Sequence, residues 1–160
     1  MGITVSGHQK IIKMTKDVTK GIANMKPANL AAAIEYEKWI KKNFQKKGGL
    51  HDNSSLKWKS LKESTVIAKK KIGRNASDIL IGRTRNLMMR WEITSTNKYG
   101  RIRSSVAYSS IHENGNRRRN IPRRKIFPEL KQGMKITKPV YALFMNGLIR
   151  KSGTSTTFKK

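Results

Sequence analysis

Thirty-six lysines and arginines against nine aspartates and glutamates give this 160-residue chain a formal net charge of +27. Any compact fold it adopts has to tolerate that self-repulsion. A partner of opposite sign relieves it, and phosphate neutralisation with counterion release makes nucleic acid the first class to consider. A solvated basic surface that serves solubility alone is the plainer alternative. The excess is uneven: residues 1–47 carry a net +7, residues 48–113 a net +8 and residues 114–160 a net +12. The densest stretch begins with Arg117-Arg118-Arg119 and Arg123-Arg124-Lys125. These clusters lack interleaved aromatics, which suits contact with phosphate, or with an acidic partner, rather than base readout.

Length argues for one domain, and 36% hydrophobic residues suffice for one modest core. No run of about 18 apolar residues is present, so no membrane span is expected. Met1 to Gly7 lacks the basic and apolar regions of a secretory signal. With no cysteine there is no disulfide framework, no thiolate zinc site and no thiol nucleophile, in keeping with a reducing compartment.

The hydrophobic period changes along the chain. A short strand is expected over residues 3–6, ended by Gly7. Ile11, Met14, Val18 and Ile22 then recur at helical spacing. After an interruption between Gly21 and Lys26, Pro27 suits the start of a second helix. Ala33, Tyr36, Ile40 and Phe44 mark its apolar face, flanked by Ala32 and Trp39, and Gly48-Gly49 stops it. A polar loop over 49–57 leads to Trp58 and Leu61, which return to the core. Residues 63–71 predict a short helix and 73–77 a loop, with apolar residues following at Ile79-Leu80-Ile81 and Leu87-Met88-Met89. From Trp91 the period becomes two: Trp91, Ile93 and Ser95, then Ile102, Ser104, Val106 and Tyr108. Asn97-Lys98-Tyr99-Gly100 supplies the turn of a β-hairpin. After Gly115 come the basic loop and Ile121-Pro122 and Ile126-Phe127-Pro128. A last apolar stretch runs from Val140 to Ile149. Helices first and a hairpin later imply α+β rather than alternating βαβ. The expectation is N-terminal helices on a small antiparallel sheet built around the hairpin, with a basic loop and tail attached to this body.

Catalytic patterns are scarce. Glu35 and Glu37 diverge by about 200° on a helix and cannot share a substrate. His8, His51 and His112 lie far apart in sequence; only His112-Glu113 hints at a metal-dependent nuclease. Neither a Gly-x-Ser-x-Gly elbow nor a phosphate-binding glycine loop is present. The spacing of Tyr36, Trp39, Phe44, Trp58 and Trp91 favours core packing over base stacking. Tyr99, at the hairpin tip beside Lys98 and Arg101, is the best-exposed stacking candidate.

Several short signals occur in one order: Trp58-Lys59-Ser60-Leu61 with Ser64-Thr65 and Lys69; Ile79-Leu80-Ile81; Thr84 and Leu87; the hairpin; Tyr108 to Gly115 around His112; and Ile121-Pro122-Arg123-Arg124. Together they resemble the virion morphogenesis, or tail completion, family of tailed bacteriophages, the Mu-like and related neck proteins. The resemblance spans about residues 3–130. Its departures are Arg85 where glycine is usual after Thr84, Ser109 for alanine after Tyr108, Glu113 for glutamine after His112, and residues 131–160, which have no counterpart in it. Residues 1–130 are then expected as one domain and 131–160 as an extended C-terminal arm that docks on an adjacent neck or tail protein. The resemblance implies a non-enzymatic α+β virion subunit without a cofactor, assembled in the host cytoplasm at the head–tail interface. By the same resemblance its copies form a homo-oligomeric, hexameric ring around the DNA channel. Its neighbours would be connector or head-closure proteins and tail terminator or tail tube proteins, with genomic DNA in the lumen and no membrane. Trp58, Leu61, Thr65, Leu87, Tyr108, His112, Gly115 and Pro122 would then be structural, with the 108–115 segment a strand end and turn. Arg117–Arg119 and Arg123–Lys125 would face DNA or dock on partners. A stand-alone, sequence-independent nucleic-acid-binding protein is the alternative, ahead of a metal-dependent enzyme.

Overall fold

The computed structural model describes residues 8–75, 78–81 and 86–152. The strand expected over 3–6 and the motif positions Thr84 and Arg85 lie outside them. The chain is α+β: helix α1 (His8–Ala23), α2 (Lys26–Gln45), a 3-10 turn (Ser54–Leu56), α3 (Glu63–Lys71), the single turn α4 (Asn86–Met89), strands β1 (Trp91–Ser95) and β2 (Gly100–Ser104), α5 (Ser109–Asn114) and α6 (Leu130–Ser152). Spatially the order is hairpin, α2, α6, α1, each packed on the next.

Helix α2 is built in two halves. Its first half buries small residues, Ala28, Asn29, Ala32 and Ala33, and its second half buries Ile40, Asn43 and Phe44. The small half lets neighbouring backbones approach. Gly100, at the start of β2, sits so close that a Cβ there would meet the Asn29 carbonyl oxygen, leaving room only for glycine. Asn29 then ties three elements together. Its amide donates to the Thr96 carbonyl at 2.8 Å, and its side-chain oxygen accepts from Tyr141 Oη of α6 at 2.8 Å. The large half anchors the core, where Ile40, Phe44, Trp58, Ile79, Leu87, Met88, Val106 and Ile126 cluster. Phe44 meets Trp58 edge to face at 5.1 Å, and Trp91 meets Phe127 at 5.5 Å, geometries that the ring quadrupoles favour.

The hairpin register pairs Trp91 with Ser104 and Ser95 with Gly100. Gly100 therefore opens β2 instead of lying in the turn. Trp91, Ile93 and Ser95 face inward and Glu92 and Thr94 outward, as period-two alternation requires. The second strand is shorter than its pattern. It stops at Ser104, whose hydroxyl accepts from the Val106 amide, and the Val106 carbonyl accepts from Ser109 N. Val106 still reaches the core, but the chain turns into α5. The 108–115 segment is thus a short helix ended by Gly115 at φ 77°, not a strand end and turn.

The C-terminal segment also differs from expectation. Leu130–Ser152 is a 23-residue helix packed on α2 and α1, in place of an extended arm. Gly133 lies against the Tyr36 ring, and Gln132 is buried with its amide donating to the Leu50 carbonyl and, at 3.2 Å, to Asp52 Oδ1. Pro139 lies inside this helix, where a proline has no N–H to donate to the preceding turn. No helix among the described residues is long and apolar enough to cross a membrane.

Candidate functional site

Two features face outward from this scaffold. The first is an arginine turn. Asn116 and Ile121 exchange backbone hydrogen bonds at 2.9 and 2.8 Å, and Asn116 Oδ1 accepts from Arg119 N at 3.0 Å. The closed turn presents Arg117, Arg118 and Arg119 to solvent, and among the described residues none of the three is in an ion pair.

The second is a cleft of about 620 Å³. One wall is Lys59 to Lys62 with Thr65 and Lys69 of α3. The others are Leu80 and Ile81, Tyr108 and His112 at α5, and Asn120 to Pro122 with Arg124. Leu61, Thr65, Tyr108, His112 and Pro122, dispersed through the sequence motifs, thereby share one surface. Trp58 and Leu87 lie behind them in the core. Gly115 allows the return of the chain, because a Cβ there would stand 2.9 Å from Arg123 N.

The basic run Arg123–Lys125 is divided. Arg123 is exposed and its Nε donates to the Glu113 carbonyl at 3.2 Å. Lys125 is half-buried; its Nζ lies 3.4 Å from Glu129 Oε1. Its carbonyl is a buried hub that accepts from Trp58 Nε1 at 2.8 Å and His51 Nε2 at 2.9 Å. Asn43 also reaches this region of backbone, with its amide 3.4 Å from the Ile126 carbonyl. Arg124 is 6% exposed and lines the cleft. Its backbone N–H donates to the His112 carbonyl at 2.7 Å. Its Nε has no hydrogen-bond partner among the described residues, and no carboxylate there pairs with it. Burial pushes the guanidinium down from its ordinary range, yet an arginine stays charged in a protein.

The His112-Glu113 pair separates into two roles. Glu113 Oε2 accepts from the Ile126 and Phe127 backbone N–H groups, the second at 3.2 Å, so its carboxylate pins the chain beyond Arg124. His112 instead lines the cleft, 6.0 Å from the Tyr108 ring in an edge arrangement. Burial, and then the Arg124 charge, hold its imidazole below the ordinary histidine range. Among the described residues no three His, Asp or Glu side chains gather as metal ligands. Of the aromatics, Trp58 and Phe44 are buried and Tyr36, Trp39 and Trp91 pack on the core. Tyr99 is exposed, with Arg101 over its ring at 5.2 Å.

Sequence reasoning alone misses the cleft cations Lys59, Lys62 and Lys69 as members of a site. A signal exists: Lys62, Thr65 and Lys69 stand at helical i, i+3 and i+7. Arg124 has one too. Residues 124, 126 and 128 are buried while 123, 125 and 127 are more open, the period of an extended segment that puts Arg124 in phase with Ile126.

No protein-family model, curated protein or solved structure matches this chain.

Proposed function

We propose that the chain is a structural subunit of a bacteriophage head–tail junction, whose copies close into a ring around DNA. The observation that carries the proposal is the pairing of two unlike surfaces. The arginine turn offers three uncompensated guanidinium groups to a polyanion. The helical layer leaves large apolar side chains open: Leu30 and Ile34 on α2, Ile11 and Ile22 on α1, and Leu143 on α6. Pro27, Ala28, Ile34, Val140, Leu143 and Phe144 line a shallow groove there. Exposed apolar surface of this kind is what a neighbouring subunit covers. Copies carrying +27 each repel one another, and DNA in the lumen offsets that repulsion. Binding of phosphate by arginine is independent of sequence, so DNA can slide past these side chains.

A stand-alone nucleic-acid-binding protein would use the same arginines and needs no ring. Both readings expect salt-sensitive binding of duplex DNA. Replacing Arg117, Arg118 and Arg119 by serine should lower the slope of log K against log salt by about 2–3 units, since each phosphate that is no longer neutralised removes about 0.9 from it. An unchanged slope removes the turn from any role in holding DNA. In particles, Arg117→Glu with Arg118→Glu and Arg119→Glu should impair DNA retention or assembly; full infectivity would sink the luminal role.

A further inference from the structure

We propose that the cleft between α3 and α5 is a phosphate-binding pocket, with Arg124 as its buried anchor and Lys59, Lys62 and Lys69 around it. The proposal does not depend on the ring reading, because Arg117, Arg118 and Arg119 do not line this pocket, although Asn120 and Ile121 of the same turn do.

A guanidinium at 6% exposure without a carboxylate is an uncompensated charge, which proteins ordinarily pair. The charge lines an open cleft, so a ligand has access to it. Among the described residues the lining contains no acidic side chain, while Lys59, Lys62, Lys69, whose Nζ also donates to the Asp78 carbonyl, and Arg124 bring four positive groups. Thr65 and Tyr108 add hydroxyl donors on the same walls. A single carboxylate would leave most of this charge unmatched. A phosphate carries up to two negative charges and several acceptor oxygens, and the planar guanidinium fork fits it bidentately. Leu61, Leu80, Ile81, Ile121 and Pro122 provide apolar walls that suit a phosphate borne on an organic body.

The chain has little to spare for the purpose. Of its nine acidic residues, Glu35, Glu37, Asp52, Glu92 and Glu129 are in ion pairs, Glu113 holds backbone amides, and Asp17, Glu63 and Asp78 do not line the cleft. The counter-charge therefore comes from another molecule. His112 supports the assignment, since it lines the same cleft, where burial and then the unpaired Arg124 charge disfavour its protonation. An anion bound beside Arg124 cancels that field.

The test follows the His112 imidazole signals of the full-length protein by NMR during titration with inorganic phosphate. Sodium chloride at matched ionic strength controls for screening. Phosphate should give a saturable shift and raise the His112 pKa, whereas chloride should do neither. Arg124→Met should weaken phosphate binding at least tenfold. Lys62→Glu, at an exposed position on the rim, should do the same and carries the test if Arg124→Met does not fold. The triple serine variant of the arginine turn should bind phosphate as the wild type does. Competition by deoxyadenosine 5′-monophosphate but not by duplex DNA would assign a free nucleotide as the source; the reverse would assign the polynucleotide backbone. The proposal is overturned if phosphate acts no differently from chloride, or if Lys62→Glu leaves its affinity unchanged. Acetate saturating the site as tightly as phosphate would also overturn it, in favour of a protein carboxylate.

Discussion

Removing the Glu113 carboxylate should destabilise the protein far more than removing a surface carboxylate. Glu113 Oε2 accepts from two backbone amides, those of Ile126 and Phe127, and Ile126 is fully buried. In Glu113→Ala both donors lose their partner, and burial of Ile126 shields its amide from bulk solvent. Hydrogen bonds to charged groups contribute roughly 1.5–3 kcal/mol, and a buried donor left unsatisfied costs about 1–3 kcal/mol. Phe127 is only partly buried and recovers some hydration, while the carboxylate's own desolvation cost disappears. The net loss is then about 3 kcal/mol. With a urea m-value near 2 kcal/mol/M for a domain of this size, the denaturation midpoint should fall by roughly 1.5 M. Glu113→Gln keeps a carbonyl oxygen that can accept both bonds and loses only the charge, for about 1 kcal/mol. Glu92→Ala serves as the control, since Glu92 meets Arg103 in an exposed pair at 2.8 Å and should cost less than about 0.5 kcal/mol. Urea titrations followed by tryptophan fluorescence measure all three. If Glu113→Ala proves no more harmful than Glu92→Ala, the pinning role of Glu113 is wrong.

Two further outcomes follow from the packing. Gly100→Ala forces a methyl group against the Asn29 carbonyl and the Ala33 side chain, and should cost about 1–3 kcal/mol by calorimetry; a neutral substitution would mean the hairpin does not approach α2 this closely. His112 is held below its ordinary value of 6.5 in the folded state, so the unfolded chain takes up the proton first as pH falls. Stability should therefore decline as pH drops from about 6.5 through the folded-state pKa, at no more than roughly 1.4 kcal/mol per pH unit. The wild-type minus His112→Gln difference in urea midpoint should show this decline, and a difference constant between about pH 5 and 7.5 would refute it.

The parts of the fold legible in the sequence are those where one period runs without interruption. Helix α2 has its apolar step from Ala33 to Phe44 and a start at Pro27, and α3 has the bounds its pattern indicates. The hairpin is legible because Trp91, Ile93 and Ile102 alternate with charged residues around a turn-forming loop. Helix α6 is not, because Gly133, Pro139 and Gly147 break its pattern at intervals. A proline inside a helix costs about 3 kcal/mol, and local propensity alone argues for a stop. Packing decides otherwise: Tyr141 bonded to Asn29, Gln132 buried against the 50–52 loop and Leu148 against Gly21 hold the helix at three points along its length. The site is legible in part. Arg117–Arg119 read as exposed and are exposed. Arg124 sits in a basic run that looks uniformly solvated, and only tertiary structure turns it inward. The polar network of Asn43, His51 and the Lys125 carbonyl joins residues about 80 positions apart, which no local pattern encodes.

The ring is the most exposed part of the proposal. Native mass spectrometry of the full chain, at low ionic strength with and without a short DNA duplex, measures it directly. Closed assemblies near six times the 18.3 kDa chain mass, favoured by duplex and weakened by Leu143→Glu on the open face of α6, are the predicted result. A species of one copy under every condition, binding duplex with the same salt dependence, would contradict the ring and leave a solitary DNA-binding protein.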